Sequence, residues 1–192
     1  MTDEFWIEKL KEGSEEALGR IIKEHKDYVY SVAFKMVRNR ELAEEITQDV
    51  FVKVYNNAAG FRYESRFSTW LYTIVYRTSL NYLERHKIVF SESELSPERA
   101  DLPAEFRKRA QTETGETNPE HFQLQEIIWR AVDRIPVLQG VVILLYYMNQ
   151  FSVAEIAEVL QVPPNTVKTH LHRGRKALKN LLSSQYSQEE LL

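Results

Sequence analysis

Four carboxylates, Glu41, Glu44, Glu45 and Asp49, fall between positions 41 and 49, a stretch without a basic residue. Such a cluster could hold a divalent cation for phosphoryl chemistry, or it could offer an acidic face to a basic protein surface. Glu45 and Asp49 are four apart and share a helix face, but nothing else in the sequence completes an oxygen cage. A Mg2+-dependent nuclease is therefore the weaker reading and a protein-binding face the stronger. His170 and His172 are two apart and point to different faces of a helix. They read as neutral contacts or surface residues, not as metal ligands. The sequence assigns no catalytic residue, no metal, no cofactor and no small-molecule substrate.

The opposite charge gathers near the C-terminal end. From Asn165 to Leu182 there are five basic residues (Lys168, Arg173, Arg175, Lys176, Lys179) and no acidic one. Just before them, Ser152 and Glu155 have the spacing of a capping box, with Ser at the N-cap and Glu three residues on. Val153, Ile156, Ala157 and Leu160 then share a face, Gln161-Val162-Pro163 makes a tight turn, and Pro164 sits in a first helical turn, where proline is tolerated. Val167, Leu171, Leu178 and Leu182 form the next inward stripe. This is the helix-turn-helix pattern. Its second helix offers Thr166, Lys168, Thr169, His172, Arg173 and Lys176 to a DNA major groove. A basic helix alone is usually a solvated face. Here the capping box, small Ala157, the corner residue Val162 and charge of one sign coincide.

A third group runs from Phe61 to His86. It holds Phe61, Tyr63, Phe67, Trp70, Tyr72, Tyr76 and Tyr82, together with Arg62, Arg66, Arg77 and Arg85. Aromatic rings stack on unpaired bases and arginines hold backbone phosphates. For Trp70 and Tyr72, filling a core is at least as good a reading. Tyr63 lies in a polar loop beside arginines and suits a base.

These groups need elements to position them. The periodicity predicts helices over 3–23, broken at Gly13-Ser14, over 24–38, and from Glu41 to about Asn56. A longer helix capped by Ser68 or Thr69 follows. Residues 89–119 are polar with three prolines and read as a linker, with a short helix expected at 104–110. Further helices are expected over 120–134, over 137–147 after Pro136, and in the helix-turn-helix, with a frayed tail from Ser183. The fold class is all-α: two helical domains joined by a flexible linker, the C-terminal one a helix-turn-helix domain. The expected limits are 1–88, linker 89–119, 120–184, and a tail 185–192. The 192 residues carry a net charge of -3, are 43% hydrophobic and contain no cysteine. Disulfides and cysteine-based zinc sites are excluded. The longest apolar run, Val141 to Met148, has eight residues, where a membrane helix needs roughly 20. The N-terminus lacks the apolar run of a signal peptide, and a cytoplasmic location is expected.

The chain resembles the extracytoplasmic-function (ECF) group of the sigma-70 family. The likeness runs through HKDYVYSVAFKMVRNRELAEEITQDVFVKVY, FRYESRFSTWLYTIVYRTSLNYLERH and RIPVLQGVVILLYYMNQFSVAEIAEVLQVPPNTVKTHLHRGRKALKNLL. It implies a non-enzymatic transcription factor that binds core RNA polymerase, directs it to promoter DNA and assists melting. It implies core contact, to the clamp coiled coil, through Glu44, Gln48, Asp49 and Lys53. It implies -10 element contact through Tyr63, Glu64, Ser65, Arg66, Arg77 and Asn81, and -35 element contact through Thr166, Lys168, Thr169, His172, Arg173 and Lys176. It also implies an anti-sigma partner, commonly membrane-bound, and a polymerase flap contact by the C-terminal domain. The chain departs from the family pattern in two places. Val137-Leu138-Gln139-Gly140 replaces an acidic-Arg run, which puts contacts there in doubt. Pro163 replaces the usual Ser at the recognition-helix N-cap, and loss of such a cap typically costs about 1 kcal/mol. Two rivals remain on the residues alone: a helix-turn-helix activator with an N-terminal effector domain, and the nuclease.

Overall fold

The computed structural model describes residues 3–86 and 119–185, and over these the chain is all-α. A first helical cluster holds α1 (Asp3–Lys11), α2 (Glu15–Val37), α3 (Arg40–Asn57) and α4 (Phe67–Arg85), with a 3-10 turn at Ala58–Gly60. A second holds α5 (Pro119–Arg134), α6 (Val137–Ile143), α7 (Val153–Leu160) and α8 (Pro164–Gln185). α6 winds on as a π turn over Leu144–Met148, so the apolar run there is helical and not a strand. The short helix expected at 104–110, the linker up to residue 118 and the tail after Gln185 lie outside the described residues.

Local chemistry explains most boundaries. The Ser14 hydroxyl accepts from the Ala17 N–H at 3.3 Å and starts α2. Gly13, at φ +86, makes the break before it in a conformation that side chains disfavour. The Asn39 side chain accepts from the Leu42 N–H at 2.9 Å and starts α3. The expected cap of α4 is corrected. That helix begins at Phe67, its N-cap Arg66 makes no side-chain bond, and Thr69 is buried inside the first turn. Aromatic packing sets the entry instead. The Phe67 ring lies 5.9 Å from that of Trp70 and 6.1 Å from that of Phe61, and burying such rings outweighs one polar cap.

Each helix buries one stripe. Ala43, Ile46, Val50 and Val54 of α3 meet Ile21, Val29 and Val32 of α2 and Leu71 and Val75 of α4 in the core. Ile7 of α1 and Trp129 of α5 are also buried, though the sequence pattern singled out neither. Tyr72 is buried and Trp70 half-buried, which favours the core-filling reading of both. The two clusters are not separate bodies. α2 packs on α6 and α4 packs on α7, so one continuous hydrophobic core runs through both.

Candidate nucleic-acid interface

The helix-turn-helix forms as its spacing demands. The Ser152 hydroxyl accepts from the Glu155 N–H at 3.2 Å, and the Ser152 N–H donates to the Glu155 carboxylate at 2.9 Å. Burial raises the Glu155 pKa, but the bonds from Ser152 and the charge of Arg66 outweigh it and hold the carboxyl below its ordinary value. α7 closes on Gln161 in the left-handed region, and Val162 packs half-buried at the corner. Pro163 supplies no side-chain cap, yet its carbonyl accepts from the Thr166 N–H at 2.9 Å. α8 then buries Val167 and Leu171. A Cβ on Gly174 would stand 3.0 Å from Ile143 Cγ1, so the bare glycine lets α8 lie close on α6.

Lys168, Thr169, His172, Arg173 and Lys176 are all exposed on the outer side of α8, and Thr166 is half-buried at its start. Arg175 is different. Its Nε donates to the Tyr147 hydroxyl at 2.8 Å, and its guanidinium lies over the Tyr146 and Tyr147 rings. It braces α8 against the π turn, so the basic run is divided between an outer face and a brace. His170 is half-buried. Burial, and then the Arg173 charge, push its pKa below the ordinary histidine value.

The four α3 residues assigned to one contact fall on two faces. Glu44 and Gln48 are exposed, Glu44 pairing with Arg40 at 3.1 Å. Beside Gln48 opens an apolar groove of about 450 Å³, whose walls include Leu18, Ile22, Phe51, Val52 and Tyr55. Val52 is 58% exposed and Tyr55 43%, unusual for apolar groups with nothing to cover them. Asp49 and Lys53 turn toward α4. The Tyr82 hydroxyl donates to Asp49 at 2.7 Å and to Glu45 at 3.1 Å. Burial, then these two carboxylates, push the Tyr82 phenol well up. The Lys53 ammonium donates to the Thr78 hydroxyl at 2.9 Å. Lys53 lines a pocket of about 340 Å³ together with Asn57, Trp70, Ile74, Arg77, Thr78 and Asn81, polar and apolar groups in nearly equal measure. Two residues assigned to the -10 element thus share a pocket with one assigned to the polymerase.

The loop before α4 presents Tyr63 42% exposed at φ 61, a backbone region uncommon for residues with a side chain. Its ring lies 4.8 Å from that of Phe61. Its hydroxyl donates to the Glu8 carboxylate, and the Lys11 ammonium sits 4.2 Å from its ring centroid. The Tyr63 bond, and then the Lys11 bond, hold the Glu8 carboxyl below its ordinary value. Glu8 and Lys11 were not foreseen. They sit on α1, 55 and 52 positions away, and no local spacing connects them to the loop. Glu64 is exposed, Ser65 half-buried, and Arg66 Nε lies 3.4 Å from Glu155 on α7.

Among the described residues, Asp3, Glu24 and His25 bring ligand atoms within 4.8 Å of one another, with His25 Nε2 against Asp3 at 3.2 Å. Glu44, Glu45 and Asp49 do not converge in this way. No helix of the described residues is long and apolar enough to cross a membrane.

Residues 21–88 match the Sigma-70 region 2 family, and residues 125–178 match Sigma-70, region 4. ECF RNA polymerase sigma factor SigW of Bacillus subtilis is 31% identical over 180 residues, covering 92% of this chain and 94% of that protein. The chain belongs to the ECF sigma factor family. The ECF RNA polymerase sigma-E factor of Escherichia coli K12 is 27% identical over 184 residues, 94% of each chain. Solved structures share the fold. CnrH, in complex with the cytosolic domain of CnrY, aligns with a TM-score of 0.61 at 18% identity, over 96% of this chain and 99% of that one. RpoE of Bartonella quintana, in complex with the anti-sigma factor NepR, aligns with a TM-score of 0.62 at 19% identity, over 88% of this chain and 98% of that one. As an ECF sigma factor the protein binds core RNA polymerase and directs promoter recognition. Its function is binding and not catalysis, which displaces both the free-standing activator and the nuclease.

Proposed function

We propose a division of labour among the surfaces of this sigma factor. The outer face of α8 reads the -35 element. Lys168, Thr169, His172 and Arg173 meet base edges or phosphates, and Thr166 and Lys176 flank them. The pocket bounded by Lys53, Arg77 and Asn81 takes a strand of the -10 element. The loop Tyr63-Glu64-Ser65-Arg66 captures a base that leaves the stack, which makes melting part of the protein's task. The apolar groove beside Glu44 and Gln48 docks on the clamp coiled coil of core polymerase, and Asp49 supports that face through Tyr82. At the start of α6, Leu138 is the residue open to a polymerase flap contact. The single observation carrying this reading is that Lys168, Thr169, His172, Arg173 and Lys176 of α8 are all open to solvent, beside a first helix started by a capping box. An anti-sigma partner fits as well, since RpoE is solved with the anti-sigma factor NepR and CnrH with the cytosolic domain of CnrY. Transcription with purified core polymerase over a promoter library tests the scheme. Initiation should require this chain and a two-part promoter. Initiation that ignores both elements would overturn it.

A further inference from the structure

α1 precedes residues 21–88, which match Sigma-70 region 2, and that likeness assigns it no task. The helix is nevertheless tied down. Ile7 and Leu10 are buried along its inner side. The Arg20 guanidinium of α2 lies 5.7 Å from the Trp6 ring centroid, and His25 of α2 meets Asp3 at 3.2 Å. Residues three apart share a helix face. Glu8 and Lys11 do so, and the Lys11 ammonium donates to the Glu8 carboxylate at 3.2 Å. This pair is the part of α1 that reaches the loop before α4.

The loop has a reason to need it. Tyr63 stands at φ 61, where the Cβ of an ordinary residue is crowded. Such a conformation persists only where the surroundings over-determine it. Within its own loop the Tyr63 ring leans on Phe61, at 4.8 Å. α1 supplies the rest. Glu8 accepts from the Tyr63 hydroxyl, and the Lys11 ammonium lies 4.2 Å from the Tyr63 ring centroid and 6.0 Å from that of Phe61. A hydrogen bond to a charged acceptor is roughly twice as strong as one between neutral groups, and a cation over an aromatic face is drawn to it. The two contacts restrain different freedoms. Glu8 fixes where the hydroxyl points, and Lys11 holds the ring beside Phe61. Tyr63 remains 42% exposed, so ring surface is left on which a base can stack.

We propose that Glu8 and Lys11 are positioning residues for promoter opening: from α1 they hold Tyr63 at its positive φ, ready to receive the base that leaves the -10 stack. The link to opening rests on the assignment of Tyr63 to base capture made above; the hold of α1 on the loop does not. In this role neither residue need touch the base. The ring is ordered before the DNA arrives, so less of the binding energy goes into ordering it afterwards.

The test uses the full chain with core polymerase. Glu8→Ala removes the acceptor and leaves Ile7 and Leu10 in place. It should lower open complexes on a duplex promoter, read by permanganate, by roughly three- to tenfold, the worth of one hydrogen bond. Glu8→Gln keeps an acceptor oxygen at the same reach and should recover part of the loss. Tyr63→Phe removes the other half of the bond, so adding Glu8→Ala to it should lower opening little further. Glu12 pairs with Lys9 at 2.7 Å, and Glu12→Ala, the control for α1 itself, should leave opening unchanged. The hold on the loop is read without DNA, by the rate at which trypsin cuts after exposed Arg62 in the free protein. Glu8→Ala should raise that rate. Faster cutting together with reduced opening supports the proposal. Unchanged cutting overturns it, as do losses that multiply when Glu8→Ala and Tyr63→Phe are combined. Faster cutting with full opening overturns the link to opening. If Tyr63→Ala itself opens duplex promoters like the parent, the base-capture assignment has failed instead, and the trypsin rate alone decides the hold of α1.

Discussion

Tyr63 is held at both ends of its side chain, by Glu8 at the hydroxyl and by Lys11 over the ring. A tyrosine fixed in this way needs little further ordering to receive a base, and a duplex offers it none. Tyr63→Ala or Ser65→Ala should therefore leave binding of core polymerase nearly unchanged and reduce open complexes on duplex promoters, read by permanganate reactivity of unpaired thymines. A promoter pre-melted by mismatches should recover part of the loss. Full opening of duplex promoters by these variants would move -10 recognition to the Arg77 and Asn81 pocket. Burial pushes the Lys35 pKa down to about 7, with Asp133 pulling it up and Arg38 pushing it down, while the three carbonyls around its Nζ match the three N–H donors of the charged form.

At the scale of elements, α7 and α8 stand on the capping box. Ser152→Ala removes it and should lower stability by about 1 kcal/mol, measured by denaturant midpoint, without changing which promoters are chosen. Lys168→Ala and Arg173→Ala act on the exposed face of α8. Base contacts should shift preference among -35 variants by roughly 1 to 3 kcal/mol, whereas phosphate contacts should weaken all variants alike. An unchanged ranking for every substitution on α8 would leave it only an anchoring role. On α3, Gln48→Ala with Glu44→Lys should weaken the complex with core polymerase while the CD spectrum is preserved. Asp49 is a poorer probe, because reversing its charge also strips the Tyr82 hydroxyl of a partner. The helices were legible in the sequence because each carries a sustained apolar stripe, and the helix-turn-helix because its signals are local. The start of α4 was not, since the Phe67 ring and not a polar cap fixes it. Nor was the split of the α3 residues between two faces, which depends on where Tyr82 and Thr78 of α4 come to rest. Arg175 read as part of a basic face because its neighbours do; only the placement of the tyrosines of the π turn shows it engaged with their rings and the Tyr147 hydroxyl.

At the scale of the molecule, composition and pattern pointed to two domains on a tether, and the two helical clusters are there. Their union through Lys35, Gly140, Tyr72 and Asn149 was hidden, because the paired groups lie about a hundred and about eighty positions apart and none of them belongs to a periodic pattern. Lys35 and the carbonyls it binds lie on one chain, so this contact between the clusters is unimolecular: diluting the protein cannot weaken it and concentrating it cannot strengthen it.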